Sequence, residues 1–272
     1  TTDATGRFHQ VVHGHTLHGR QWRDGPRQCE PLAYYHPTGP LGDVVHGWPH
    51  HFDNVAMIGV GAGSMLSYRT AASRWLVVDI DPATWTLATD HFSFLRGCPE
   101  QLGAAAHEGT ELVVADGRRA IADLPKARLF RAIVVDVFSS DAIPVHMLTR
   151  EAFDVYAAHL ASDGILVFHA SNRYLDVVSV LAAVAKDRGM SALWRDDRSS
   201  HRAPGSEPSR RLVAAVKPST LAPFAADQRF ASDQRWIAPH AHDRVWTDDF
   251  NDLPRLFAMG VLRASGFGPA SE

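Results

Sequence analysis

The chain of 272 residues predicts an α/β fold in which a mostly parallel sheet is covered by helices on both faces. From about residue 55 onward, short and continuous apolar runs alternate with helical patterns. Strands that are buried on both faces have this composition. Residues 1–50 differ, because they are rich in Gly, His and Pro and carry little helical pattern. We therefore predict a small β-rich N-terminal lid over residues 1–50 and an α/β domain over residues 51–272.

The predicted elements follow one another in the order that such a domain requires. Seven core strands are predicted over residues 55–59, 75–79, 111–115, 132–136, 164–169, 191–195 and 211–216. Helices are predicted over residues 64–73, 82–95, 149–161 and 174–188. In the lid, residues 8–12 are predicted as a strand.

Charge and composition argue against several classes of protein. The net charge of −3 provides no basic face for nucleic acid. No run approaches the roughly 18–20 apolar residues that a membrane-spanning helix needs. Cys29 and Cys98 are too few for a zinc site. They are expected to be reduced thiols of a cytoplasmic protein, with a single disulfide as the alternative, and no bound metal is expected.

A glycine-rich loop follows the first core strand. Gly59, Gly61 and Gly63 form a G-x-G-x-G pattern immediately before a helical segment. Glycine permits a tight turn and a close approach of a ligand to the backbone. Because Ser64 follows, the dinucleotide form G-x-G-x-x-G is not met. On its own, the loop is also compatible with a glycine turn that binds nothing.

Acidic residues at the ends of the next two strands strengthen the case for a nucleotide. Asp79, about 20 positions after the glycines, is placed to accept hydrogen bonds from both ribose hydroxyls, and Ile80 follows it. Asp81 is better suited to cap the following helix. Asp116 and Gly117 follow the third strand, where they could reach an adenine amino group. Three successive strand ends therefore predict an adenosine site.

These residues resemble the class I S-adenosylmethionine-dependent fold, a Rossmann-like fold with a seven-stranded, mostly parallel sheet. The segment DVFSSDAIP, residues 136–144, is similar to the Asp-Ser-Ser-Asp-Pro motif of spermidine synthases, which are aminopropyltransferases. The segment EPLAYYH, residues 30–36, resembles the gate of that family, where a Tyr-Gln pair faces the substrate. The resemblance is closest to the branch in which this domain often follows a membrane domain.

The resemblance implies aminopropyl transfer from decarboxylated S-adenosylmethionine to an amine, such as a polyamine, with release of methylthioadenosine. Asp136 would then be the general base or the polar anchor at the reacting carbon, and Asp141 would hold the cationic end of the substrate. Tyr34, Tyr35 and His36 would contact the transferred arm or its acceptor. The ordinary alternatives are loop capping for the two aspartates and core packing for the tyrosines.

The chain departs from the family where acidic residues are expected. The glycine loop has Ala62 at its acidic position, and Tyr35 and His36 replace the Gln and the acidic residue of the gate. Because buried cations need carboxylate partners, such a pocket is less suited to a polyamine. The alternatives are a lyase that converts intact S-adenosylmethionine to methylthioadenosine and homoserine lactone, a methyltransferase, and a catalytically inactive nucleotide sensor.

The resemblance also implies how the chain begins and assembles. The family begins with a β-hairpin, and residues 3–6 are predicted as its turn, so its first strand is expected to be missing. His18 and Gln21 are expected in the same lid. We expect an upstream extension of the natural protein, with an inner-membrane tether of a cytoplasmic domain as one form of it, and a homodimer.

Overall fold

The computed structural model describes residues 1–14, 16–23, 25–96, 109–137, 144–172, 175–197, 203–225 and 235–257. Its strands are β1 (Phe8–His13), β2 (Thr16–Trp22), β3 (Asn54–Ile58), β4 (Arg74–Asp79), β5 (Thr110–Val114), β6 (Phe130–Val135), β7 (Leu160–His169), β8 (Ser191–Asp196) and β9 (Arg210–Ala215). Its helices are α1 (Pro40–Gly47), α2 (Pro82–His91), α3 (Gly117–Ala122), α4 (Arg150–Ala158), α5 (Val177–Asp187) and α6 (Pro218–Ala225).

Strands β3 to β9 form one seven-stranded sheet in the order β5-β4-β3-β6-β7-β9-β8. Strand β9 is antiparallel to both of its neighbours, and the other pairs are parallel. The strand order reverses at β3, so the chain continues to β4 on one side while β6 lies on the other. Open α/β sheets bind ligands in the crevice at the carboxyl ends of strands at such a reversal. The predicted seven-stranded, mostly parallel sheet is confirmed.

The sheet separates two apolar layers. Met57 belongs to the layer that contains α1, α2 and α6, whereas Ile58 belongs to the layer that contains α3, α4 and α5. Both side chains are at most 1% exposed. The core strands are therefore buried on both faces, which is why their sequences are continuous apolar runs.

The N-terminal hairpin is formed by β1 and β2, which pair antiparallel. The turn predicted over residues 3–6 is present, because Gly6 N donates to Asp3 O at 3.0 Å and Thr2 bridges to His9. The pairing of β1 with β2 lies on the other side of β1 from this turn, so it does not test the expectation that the strand before the turn is missing. Strand β2 was not predicted, because its polar side chains and its glycine hide the strand pattern.

The segment after the glycine loop is shorter than predicted. A 3-10 turn over residues 64–68 replaces the helix predicted over residues 64–73. Arg69, which follows the turn, is 4% exposed and donates to the carbonyl oxygens of Leu66 at 3.1 Å and Phe94 at 2.8 Å. These buried hydrogen bonds favour an extended backbone at Arg69, which ends the turn.

The segment of residues 246–252 connects the starts of α3 and α4. Arg118 donates to both carboxylate oxygens of Asp248 at 2.7 Å, and the hydroxyl of Thr149 donates to the same carboxylate at 2.7 Å. Trp246 is fully buried and donates to Asp252 at 2.7 Å. The segment therefore holds the first turn of α3 and the N-terminal cap of α4 against each other.

Two further expectations concern the cysteines and the membrane. Cys29 is disulfide-bonded, so the expectation of reduced thiols is wrong. Within the described ranges, no helix has the length and apolar character needed to cross a membrane.

Candidate active site

A cavity of about 1110 Å³ opens at the carboxyl ends of β3, β4 and β6, and its wall includes residues of the hairpin as well as Tyr34 and Tyr35. Most of the residues predicted for the site line it: Gly59, Gly61, Asp79, Ile80, Asp116, Gly117, Tyr34, Tyr35 and Asp136. Gly63 and His36 are not part of its wall. Asp141 lies outside the described residues.

The glycine loop needs glycine for space as well as for conformation. Gly59 has a φ of +92°, and a Cβ atom there would lie 1.9 Å from the carbonyl oxygen of Asp136. Gly63 has a φ of +82° and starts the 3-10 turn. Gly59 therefore allows the loop to pass the end of β6, whereas Gly63 has a structural role away from the cavity.

Asp79 holds the glycine loop in place with its carboxylate. Oδ2 accepts from Val60 N at 2.8 Å, and Oδ1 accepts from Asp81 N at 3.0 Å. A carboxylate has about four lone-pair sites, so acceptor capacity remains towards the cavity. Ile80 is 68% exposed beside it, which is a suitable surface for a planar base. Asp81 accepts from Ala83 N at 2.8 Å, which confirms its predicted role as the cap of α2.

Asp116 is engaged through both carboxylate oxygens. Oδ1 accepts from Arg119 N at 2.9 Å and caps α3, and His146 Nε2 lies 2.9 Å from Oδ2. Burial raises the pKa of Asp116, but these hydrogen bonds outweigh burial and leave the pKa below its ordinary value. A Cβ atom on Gly117 would lie 2.0 Å from Ile58, so glycine lets α3 begin directly against β3.

Asp136 lies at the end of β6 between two nitrogen-bearing side chains. Arg211 Nη1 donates to Oδ2 at 2.9 Å, and His169 Nδ1 lies 2.8 Å from Oδ1. The side chains of Asp136 and His169 are 7% and 8% exposed, and that of Arg211 is fully buried. Burial raises the pKa of Asp136, but His169 and Arg211 outweigh it and hold the pKa well below its ordinary value. Asp136 is therefore a permanent anion at neutral pH.

A chain of hydrogen bonds extends from Asp136 towards the sheet edge. His169 Nε2 lies 2.7 Å from the hydroxyl oxygen of Ser171, which also accepts from Arg210 N at 2.8 Å. The Ser171 hydroxyl can donate to Nε2, which places the proton of a neutral imidazole on Nδ1, where it donates to Asp136. Burial, followed by the charge of Arg211, lowers the pKa of His169, which agrees with a neutral ring.

Tyr34 and Tyr35 contact this network through their rings. The Tyr34 ring centroid lies 5.3 Å from that of His169, and the guanidinium carbon of Arg211 lies 5.5 Å from the Tyr35 ring centroid. Burial, with the charges of Glu207 and Asp136, raises the pKa of Tyr34 to about 12. Burial also raises the pKa of Tyr35 well above its ordinary value. Both phenols are thus neutral hydrogen-bonding groups.

Two more carboxylates at this end of the cavity have arginine partners. Asp196 accepts from Arg210 Nε at 3.0 Å, and Glu207 accepts from Arg20 Nη1 at 3.1 Å. Asp196 ends β8 and Glu207 precedes β9, and both line the cavity together with Asp136 at the end of β6. The negative charge at this end is therefore balanced by arginine.

No function was predicted for Arg211 and His169 from the sequence. The available signals were the pair Arg210 and Arg211 at the start of an otherwise apolar strand, and a histidine at the end of another. Neither signal shows that both side chains reach Asp136. Their approach depends on the pairing of β7 with β9, which places His169 opposite Arg211.

The hairpin contributes His18 to the cavity wall. Its ring centroid lies 6.1 Å from that of His13. The Nε2 atom is buried and has no hydrogen-bond partner among the described residues. Gln21, the other lid residue expected there, is 2% exposed, donates to Gln28 O at 3.0 Å and does not line the cavity.

One group of side chains away from the cavity has the composition of a metal site. Ligand atoms of His242, Asp243 and Asp252 lie within 4.8 Å of one another, which the sequence did not indicate. Arg255 Nη1 lies 3.1 Å from Asp243 and 3.8 Å from Asp252. The guanidinium of Arg255 already contacts both carboxylates and offsets one of their two negative charges, and we assign no metal to the group.

The fold is shared with known enzymes. No protein-family model and no curated protein matches the chain. It is similar to the crystal structure of a probable spermidine synthase from Corynebacterium glutamicum, with 13% identity, 97% of this chain and 92% of that chain covered, and a TM-score of 0.52. Human methyltransferase-like protein 13 in complex with SAH is 18% identical, with 70% of this chain and 84% of that chain covered and a TM-score of 0.47. Spermidine synthase from Thermotoga maritima is 12% identical, with 80% of this chain and 70% of that chain covered and a TM-score of 0.46.

At these identities, the similarity establishes the fold and not the reaction. The chain has the Rossmann-like class I fold of S-adenosylmethionine-dependent enzymes, as the strand order also indicates. The neighbour with a TM-score of 0.52 is a probable spermidine synthase, which is a transferase.

Proposed function

We propose that the chain is an enzyme that binds an S-adenosylmethionine-type sulfonium nucleotide and transfers its aminopropyl-type arm to an amine, releasing methylthioadenosine. The observation that carries the proposal is that one cavity contains both the glycine loop with Asp79 and the gate tyrosines with Asp136. The first set suits the nucleoside, and the second suits the arm and its acceptor.

The nucleoside would bind along the ends of β3, β4 and β5. Asp79 would accept hydrogen bonds from the ribose, as carboxylates at this strand end do in related nucleotide sites. Ile80 would contact the base on one side. Asp116 would contact the adenine amino group through the lone pairs that Arg119 and His146 leave available.

The arm would extend towards Asp136 and the gate. A sulfonium is a good leaving group, so the main requirement is to orient the amine against the carbon beside the sulfur. The fixed negative charge of Asp136 and the neutral hydroxyls of Tyr34 and Tyr35 can orient an ammonium or amine there. Asp136 would act as a polar anchor, because a general base needs a pKa near the working pH.

The charge balance at this end bears on the acceptor. A polyamine carries several positive charges, which need unpaired carboxylates when they are buried. Asp136, Asp196 and Glu207 already have arginine partners. An amine of low net charge is therefore the better acceptor.

The same charge balance favours a second candidate function. Intact S-adenosylmethionine has an arm that is both an ammonium and a carboxylate, so its arm needs no excess of acidic residues. An oxygen of that carboxylate could attack the carbon beside the sulfur while the carbon–sulfur bond breaks and its electron pair goes to sulfur. The products would be methylthioadenosine and homoserine lactone, without an acceptor.

Mass spectrometry of the products separates these reactions. The purified chain is incubated with S-adenosylmethionine alone, and separately with decarboxylated S-adenosylmethionine and a panel of monoamines, diamines and polyamines. Methylthioadenosine and an aminopropylated amine in the second set support the proposal. Methylthioadenosine and homoserine lactone in the first incubation support the second candidate instead. Formation of S-adenosylhomocysteine with any acceptor, or no turnover at all, contradicts both.

A further inference from the structure

We propose that Ser171 is the nucleophile of a Ser171–His169–Asp136 triad that hydrolyses carboxylic esters, including cyclic esters such as lactones. This would be a further activity of the cavity described above, and it does not depend on the proposed transfer to an amine. Triads of this composition occur on unrelated folds and are recognised by the geometry and the roles of the three groups.

The three side chains form one continuous chain of hydrogen bonds. Ser171 Oγ lies 2.7 Å from His169 Nε2, and His169 Nδ1 lies 2.8 Å from Asp136 Oδ1. Both distances are within the range of about 2.6–3.2 Å that a nucleophile, its base and the group that orients the base require. The order of the groups is therefore hydroxyl, imidazole and carboxylate, with each nitrogen of the ring facing a different partner.

The proton positions in this chain are those that a triad needs. The Ser171 hydroxyl can donate to Nε2 of a neutral ring, whose proton is then on Nδ1 and is donated to Asp136. Burial, followed by the charge of Arg211, lowers the pKa of His169, so the ring is neutral at pH 7 and able to accept a proton. The Asp136 anion would stabilise the imidazolium that forms when the ring accepts it.

Ser171 lies where a substrate can reach it. The residue is only partly buried, follows the end of β7 and belongs to the cavity wall. Its oxygen accepts from Arg210 N at 2.8 Å, which uses one of two lone pairs and leaves the other for attack. Ser209, another serine of the wall, differs because it is 2% exposed and its hydroxyl has no hydrogen-bond partner within the described ranges.

A cation on the cavity wall can stabilise the negative charge that attack by Ser171 would produce. Arg210 lies beside Ser171, as its backbone hydrogen bond to the hydroxyl oxygen shows. Its side chain is 27% exposed and belongs to the cavity wall, and its Nε donates to Asp196 at 3.0 Å. An arginine in this position would bind the oxygen of a carbonyl group as that oxygen becomes an anion.

The proposed reaction conserves atoms and charge, with water as the co-reactant. Ser171 Oγ forms a bond to the carbonyl carbon of the ester while its proton goes to His169 Nε2, which gives a tetrahedral oxyanion. The bond from that carbon to the alcohol oxygen then breaks, and the alcohol takes the proton from His169. Water attacks the resulting acyl-serine, its proton passes through His169 to Ser171 Oγ, and the carboxylic acid leaves.

The test uses the purified chain with reagents that do not involve the nucleotide. A fluorophosphonate is used to label activated serines, and the adduct is located by peptide mass spectrometry. Hydrolysis is measured as kcat/KM with p-nitrophenyl acetate and with γ-butyrolactone. We expect the adduct on Ser171, and a loss of about 10²–10⁴-fold in Ser171→Ala and in His169→Gln, which is the usual size of general-base catalysis. Ser209→Ala is the matched control and should hydrolyse both esters like the natural chain.

The pH profile distinguishes a catalytic triad from a hydroxyl that only holds the backbone of Arg210. The charged groups that face the His169 ring are Asp136 and Arg211, and the Tyr34 ring packs against it. Because His169 must be neutral to accept the proton, kcat/KM should rise with pH to a plateau, with a midpoint below the ordinary histidine value of about 6.5. In His169→Gln this midpoint should disappear from the residual hydrolysis.

A second variant covers the case in which Ser171→Ala does not fold. Ser171→Cys keeps a nucleophile beside His169, and iodoacetamide should alkylate it faster in the single variant than in the double variant with His169→Gln. Equal alkylation rates in these two variants would overturn the inference. So would a natural chain that folds but gains no adduct on Ser171, or a folded Ser171→Ala that hydrolyses esters at the natural rate. Release of methylthioadenosine does not enter this test, so the triad and the proposed function can fail separately.

Discussion

The guanidinium of Arg211 is fully buried and donates to Asp136 Oδ2 at 2.9 Å. Strand β9 supplies the arginine, and the end of β6 supplies the carboxylate, so the pair connects two strands that are separated by β7 in the sheet. A buried ion pair of this kind contributes little as a pair, but the loss of one member leaves the other without compensation. Asp136 is thus structurally important whether or not it contacts a substrate.

The first prediction concerns the free energy of unfolding of Asp136→Asn. The amide keeps a hydrogen bond to His169 but leaves Arg211 buried without a counter-charge, so we expect a loss of about 3–5 kcal/mol. The double variant Asp136→Asn with Arg211→Met removes the uncompensated charge and should recover at least half of that loss. Urea unfolding of both variants is the measurement. If Asp136→Asn were as stable as the double variant, Arg211 would have found another partner in Asp136→Asn.

This result also governs how activity data are interpreted. If Asp136→Asn alone is inactive, unfolding and lost chemistry cannot be separated. The double variant provides that separation when it folds. Activity that remains in a folded double variant would show that the carboxylate is dispensable as an anchor.

The second prediction concerns acid stability. The pKa of Asp136 in the folded chain lies below its unfolded value of about 3.9, so its stabilising contribution is complete above that pH and declines as the pH falls towards the folded pKa. The stability difference between the natural chain and the double variant should therefore fall below pH 4, by at most about 1.4 kcal/mol per pH unit. Urea unfolding between pH 7 and pH 3 measures it. A difference that is constant with pH would contradict the predicted ionisation.

The third prediction concerns Asp79 and the nucleotide. Asp79→Asn removes the charge and replaces one acceptor oxygen by a donor, so one of the two bonds from Val60 N and Asp81 N is lost together with part of the predicted ribose contact. Hydrogen bonds to charged groups contribute about 1.5–3 kcal/mol, which corresponds to an affinity loss of about 10- to 100-fold. Calorimetric titration with S-adenosylmethionine and SAH measures it.

Asp81→Asn is the matched control for that variant. Asp81 caps α2 through Ala83 N, and asparagine is as good a cap as aspartate. We therefore expect its nucleotide affinity to remain within about twofold of the natural chain. If both variants lose affinity equally, nucleotide binding depends on the total negative charge at this strand end and not on a specific contact with Asp79.

Much of the sheet could be predicted because its signals are local. The apolar runs of β3, β4 and β6 are buried on both faces, and their composition alone indicates this. The cap at Asp81 was predicted from the same kind of local chemistry, because its side chain accepts from a backbone N–H two residues away. The cap that Asp116 makes for α3 was not predicted.

The partners of Asp136 could not be predicted, because they are distant in sequence. His169 is 33 positions away and Arg211 is 75 positions away. Only the antiparallel pairing of β7 with β9 brings them together, and a shift of one residue would turn Arg211 to the other face of the sheet. The motif therefore predicted that Asp136 lies at a strand end. Its contacts with His169 and Arg211 depend on the tertiary structure and could not be predicted from the motif.

Strand β2 was missed for a related reason. Its residues His18, Gly19, Arg20 and Gln21 are polar or small, and glycine weakens a strand pattern. Gly19 is present because the hairpin lies against Ala62 of the glycine loop. The sequence of β2 alone does not show this contact, because it depends on how the hairpin packs against the glycine loop.

The last prediction concerns the glycine loop and uses Gly59→Ala with Gly6→Ala as its control. Both glycines have positive φ, +92° and +71°, so both alanines are strained by about 1–2 kcal/mol. A Cβ atom added at Gly6 would have no other atom within 4 Å, whereas one added at Gly59 would lie 1.9 Å from the carbonyl oxygen of Asp136. Gly59→Ala should therefore lose about 1–3 kcal/mol more than Gly6→Ala in urea unfolding, because the backbone of β6 must move. That movement would also displace Asp136, so nucleotide-dependent activity should fall in Gly59→Ala and stay unchanged in Gly6→Ala. Equal losses of stability in the two variants would mean that the loop can shift away from β6 at little cost.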